Sequence, residues 1–133
     1  MAKPTDRTVD CDSATRSGRL AKARQFMEAA RLVELLADDA DDVADAYVTL
    51  CVHAGIAAAD VVCCRRLGRH ARGENHAAAV RLLEQASTTA ARHLGDLLAM
   101  KTKAGYSAVP ASGTDVKRAG RAASALLDEA MQS

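Results

Sequence analysis

The chain predicts an all-α fold, an up-down antiparallel bundle of four to five helices, from three observations. Alanine dominates the apolar residues, the aromatics are limited to Phe26, Tyr47 and Tyr106 with no Trp, and apolar positions recur at three- and four-residue steps along most of the length. Strong helix formers at helical spacing suit closely packed helices, whereas a β-sandwich draws on bulky and β-branched residues. At 133 residues the chain has the size of one domain, able to bury a core without disulfides and too small for two independent cores.

Residues 1–12 are polar, contain Pro4 and lack periodicity, which predicts a flexible N-terminal segment ahead of a single bundle domain over 13–133. Helix 1 follows from about Ser13 to Ala37, where Leu20, Ala23, Phe26, Met27, Ala30, Val33 and Leu36 form an amphipathic stripe. The acidic run Asp38 to Asp42 interrupts it and caps helix 2, because carboxylates suit the positive end of a helix. Helix 2 extends to about Leu67 and carries the small residues Ala54, Gly55, Ala57, Ala58 and Ala59, which permit close approach of a neighbour. Those residues serve either packing inside one chain or dimerisation.

Gly68 and Gly73 bracket a basic loop, and Asn75 caps a short helix 3 from His76 to about Gln85. Ser87 or Thr88 caps helix 4, which runs to about Ala104 and stops at Gly105. A loop with Pro110 then leads to helix 5, defined by Val116, Ala119, Ala123, Leu126, Leu127 and Ala130.

The start of the chain carries no apolar signal core, and no apolar run approaches the roughly 18 uncharged residues of a membrane span. A cytoplasmic protein without a membrane partner is expected. Cys11, Cys51, Cys63 and Cys64 show neither CxxC nor framework spacing, so free and mostly buried thiols are expected.

A formal charge of +1 excludes a uniformly basic protein, yet strict up-down alternation would segregate the charges. One pole would gather Arg16, Arg19, Lys22 and Arg24 with Arg65, Arg66, Arg69, Arg72, Lys101, Lys103, Lys117, Arg118 and Arg121. The other would hold Glu34, Asp38, Asp39, Asp41, Asp42, Asp45, Glu84, Asp128 and Glu129. Helix dipoles account for the cations ending helices 2 and 4 but not for those starting helices 1 and 5. The basic pole is either solvated charge or a surface for phosphates or an acidic partner. Tyr106 is its one candidate for stacking on a base.

Cys51, His53, Cys63, Cys64, His70, His76 and His93 invite a zinc reading that their spacing opposes. Residues two apart on a helix diverge, and adjacent cysteines cannot both face one tetrahedral ion. No metal or other cofactor is therefore expected. Nothing in the sequence activates a thiol for catalysis. His76, beside Asn75, reads as structural rather than as a general base, and Asp60 as an exposed or interface carboxylate.

Three stretches carry a family resemblance: His53 to Asp60 in helix 2, Asn75-His76 followed by Ala79 to Leu83, and Leu97 to Tyr106 before the Pro-containing loop. Over His53 to Met131 the chain resembles the HEPN superfamily of small helical bundles. Members that cleave RNA use an arginine and a histidine four to six residues apart across a homodimer cleft; the matching place here holds Lys101 and Tyr106. Lysine lacks the guanidinium fork, and tyrosine titrates too high to shuttle protons near neutrality. The resemblance thus implies a non-catalytic, homodimeric binding or regulatory module. It would contact RNA, a nucleotide or a co-encoded partner such as the nucleotidyltransferase of a toxin–antitoxin pair. The expected contact residues are Arg65, Arg66, Arg69, Arg72, His76, Lys101, Lys103 and Tyr106. Two alternatives stay open: a divergent metal-independent ribonuclease using Arg69, Arg72, His76 and Lys101, and a purely structural protein-interaction bundle.

Overall fold

Local capping chemistry sets most element boundaries in the computed structural model, which describes residues 7–73 and 75–132. Asp12 accepts from the Thr15 amide at 2.7 Å and starts α1, Ser13–Leu36. Asp39 caps a 3-10 turn, Ala40–Val43, from which α2 continues over Ala44–Leu67. Asn75 and Ser87 cap α3, His76–Ala86, and α4, Thr88–Gly105, by accepting from the Ala78 and Ala90 amides. Ser112 and Asp115 cap α5, Gly113–Gln132, reciprocally: each amide donates to the other side chain. Gly105 is the last residue of α4, within one position of the expected stop, and the Tyr106 amide closes the helix on the Thr102 carbonyl.

The fold is the all-α bundle expected, with α2 at its centre against α1, α4 and α5. Helix α2 is buried on almost every side, so it lacks the one-sided stripe of a surface helix. With its preceding turn it is long and apolar enough, by length and composition, to cross a membrane, and most of its apolar stretch is buried against its neighbours. Its small residues are spent inside the chain. A β-carbon at Gly55 would strike Leu97 of α4 and touch Leu126 of α5, and Ala54, Ala57 and Ala58 are buried. Of the two uses foreseen for these residues, packing within one chain is the one realised.

Residues beyond position 6 depart from the flexible segment expected over 1–12; residues 1–6 of that expectation lie outside the described residues. Thr8–Asp10 forms β1, which pairs antiparallel with β2, Arg69–Ala71, Val9 opposite His70. Cys11 and Cys64 form a disulfide, correcting the expectation of free thiols at those two positions; Cys51 and Cys63 are free and buried. A three-residue strand is too short to leave a periodic signal, and a pairing across 53 positions is decided by tertiary approach rather than spacing.

The hairpin also alters the course of the chain. After Gly68 closes α2 in the left-handed conformation, φ 75°, β2 carries the chain back along the bundle before α3 begins. Helix α3 therefore runs in the same sense as α2: the Arg66 guanidinium at the end of α2 donates to the carbonyl of Ala86 at the end of α3 and pairs with Glu129 at the end of α5. At the far end, Asp45 of α2 accepts from the Ala111 amide before α5, and Lys103 of α4 pairs with Asp115 of α5.

The single basic pole expected from strict alternation is thereby split. Lys103, Lys117 and Arg118 lie toward the end where α2 starts, and Arg65 and Arg66 lie at the end where it stops. Glu129, assigned to an acidic pole, is the partner of Arg66.

Candidate ligand-binding cleft

Helix α2 presents His53, Ile56, Asp60 and Cys63 on one face because they recur at three- and four-residue steps. They form a wall of a cleft of about 430 Å³. Opposite them stand Arg19 from α1, His76 and Ala79 from α3, and Leu94, Leu98 and Lys101 from α4. Strand β2 and the residues after it add His70, Arg72 and Gly73. Gly73 sits at φ 84°, a backbone turn that a side chain would oppose.

Among the described residues, Asp60 is the acidic group of the lining. Arg19 holds it through Nε and Nη2, both 2.9 Å from Oδ2. Burial raises its pKa above the usual carboxylate value, opposed by Arg19 and then by His70, whose Nδ1 is 3.9 Å from Oδ1. That nitrogen lies 2.8 Å from the carbonyl oxygen of Ala71. A carbonyl only accepts, so the proton sits on His70 Nδ1. By the same argument the Lys101 ammonium, 3.0 Å from His76 Nε2, donates to that nitrogen.

His53, at the rim, rests against Phe26 with ring centroids 5.4 Å apart. Cys63 reaches the lining, but burial and then the charge of Asp60 push its thiol up to about 12. A thiol so placed is a poor nucleophile near neutrality. Among the described residues no three His, Cys, Asp or Glu side chains are arranged to hold a metal ion.

Of the contact residues read from the sequence, the structure brings together Arg72, His76 and Lys101. Arg65 and Arg66 stay at the end of α2 outside the cleft. Lys103 is engaged by Asp115 at 2.8 Å, and Tyr106 is 81% exposed beside a shallow hollow that shares Lys101 and His53 with the cleft. Arg69 points away, to the other face of β2.

The sequence does not mark Arg19, His53, Asp60 and His70 as one site. The helical spacing of His53, Asp60 and Cys63 on an otherwise apolar helix was a usable signal for part of it. Nothing local marks Arg19 or His70, which reach the cleft through α1 packing and strand pairing. No family model, curated protein or solved structure matches the chain.

Proposed function

We propose that the protein is a non-catalytic, HEPN-like binding module that holds a phosphate group, of a nucleotide or of RNA, in this cleft. The observation that carries the reading is the charge of the lining. Arg19 takes up Asp60, which leaves Arg72 and Lys101 facing the cavity, the latter bonded to an imidazole nitrogen rather than to a carboxylate. A phosphate oxygen supplies the acceptors that these donors lack.

The homodimer belongs to the same reading, on a different surface from the small residues of α2. Leu32, Leu35 and Leu36 are exposed at the end of α1, Leu35 by 78%. That helix is basic in its first half, at Arg16, Lys22 and Arg24, and carries Glu28 and Glu34 against the single cation Arg31 in its second. A second copy laid antiparallel along it would match opposite charges while covering the leucines.

Titration calorimetry with a nucleoside monophosphate and with a short RNA tests the binding. Binding that weakens about tenfold or more in Lys101→Ala and in Arg72→Ala, with helical circular dichroism unchanged, is expected. Ligand binding indifferent to both substitutions, or none at low salt, removes the reading. Light scattering of Leu35→Glu tests the dimer.

One observation favours a second reading, the divergent ribonuclease. His76, Lys101 and Arg72 share the cleft, and a phosphate that draws Lys101 away from His76 Nε2 frees that nitrogen to take a proton from a ribose 2′-hydroxyl while the cations face the phosphate. RNA fragments ending in a 2′,3′-cyclic phosphate, lost in His76→Ala, would select it. Intact RNA after long incubation discards it.

A further inference from the structure

Side chains along β2 alternate between two faces, as extended backbone requires. His70 and Arg72 turn into the cleft; Arg69 turns into a second groove of about 250 Å³ on the other side. Arg7 and Thr8 approach that groove from the β1 side, and Arg81 and Gln85 from one face of α3. Ala71 lines both cavities, so the hairpin is their common wall.

The groove is rich in donors. The guanidiniums of Arg7 and Arg69 and the Gln85 amide line it, and its described lining includes no Asp or Glu. Arg7 and Arg69 make no ion pair with any described residue. Guanidinium groups carry fixed charge and bind phosphate oxygens in forked pairs, which suits a phosphodiester better than a single carboxylate. Arg7 is also anchored: its carbonyl accepts from the Arg72 amide at 3.0 Å, and the Cys11–Cys64 disulfide ties down the strand behind it.

Resting on the cleft reading above, we propose that this groove is a second phosphate site. The ligand is then a single-stranded RNA of several nucleotides, one phosphate in the cleft and another across the β1–β2 hairpin. Neither cavity's described lining includes Phe, Tyr or Trp, so the strand is held by its backbone with little preference for base.

Fluorescence anisotropy on the full, oxidised chain tests this with labelled hexauridylate and with uridine monophosphate as competitor. Hexauridylate is expected to bind at least about tenfold more tightly than the mononucleotide. The double variant Arg7→Ala/Arg69→Ala removes that advantage and leaves mononucleotide affinity unchanged. Each lost contact also lowers the slope of log affinity against log salt by about 0.7. The milder Arg69→Gln, with circular dichroism as the fold check, repeats the test if the double variant is unstable. Mononucleotide that binds while the hexamer binds no better overturns the second site alone. If neither binds, the cleft reading fails and the second site with it. Displacement of the hexamer by polyglutamate of equal charge overturns the RNA assignment in favour of an acidic protein segment.

Discussion

Arg19 on α1 and Asp60 on α2, 41 positions apart, meet at 2.9 Å inside the cleft. The pair joins the first helix to the central one and sets the charge of the cavity. Removing either partner would leave the other partly buried and uncompensated, which is costly even where the pair itself adds little net stability.

Asp60 is held above its usual value of 3.8 by burial, with Arg19 and His70 opposing. The folded state therefore binds more protons than the unfolded one in the window that opens at 3.8 and extends upward, so stability falls as pH rises through it. Denaturant melts across this window should slope downward for the native chain and be flat for Asp60→Asn. The same substitution makes the cleft more positive, and phosphate affinity at neutral pH should rise about three- to tenfold by calorimetry.

Asp115 behaves in the opposite sense. The hydrogen bond from Lys103, then the amide of Ser112, lowers it from 3.8 to about 2. Stability from this group is present above 3.8 and lost as pH falls toward 2. Asp115→Asn should lower the melting temperature at pH 7 and remove that acid loss. Because Lys103 is 40% exposed, molar salt should shrink the difference.

Reducing Cys11–Cys64, or substituting Cys11→Ser, releases a loop of 53 positions and should cost about 2–4 kcal/mol. Hydrogen exchange at the Arg72 amide, which donates to Arg7, should accelerate with it. Thiol titration of the unfolded native chain should find two reactive groups, Cys51 and Cys63. Both resist alkylation when folded, since burial pushes them up to about 11 and about 12.

Two glycines in helices should respond to alanine with opposite signs. At Gly55 the added carbon meets Leu97 and Leu126, both fully buried. Overpacking there should cost about 1–3 kcal/mol, more than the gain in helix propensity returns. At Gly95 on α4 the added carbon meets nothing within 4 Å, so Gly95→Ala should stabilise by about 0.5–1 kcal/mol. Urea denaturation of both variants checks the pair.

Local chemistry made much of the fold legible. Asn75 and Ser87 announce helix starts because their side chains satisfy amides three residues ahead, whatever the rest of the chain does. The apolar spacing of α1, α4 and α5 marks their buried faces for the same reason: it depends only on 3.6 residues per turn. Half of the cleft was within reach on those terms, since His53 and Asp60 share a face of α2 by counting alone.

The sequence by itself determined that this protein is a bundle of helices and where most of them begin, and it marked Arg72, His76 and Lys101 as candidate contact residues. Only the tertiary structure decided that these three share one cavity with Arg19 and His70, and that the cations do not form a single pole. The physical reason lies in a few short-range contacts between distant segments. Three residue pairs of β1 with β2 and one disulfide return the chain after α2 and set the direction of α3. Such pairings leave no periodic trace, because their energy depends on which surfaces the packed helices bring together.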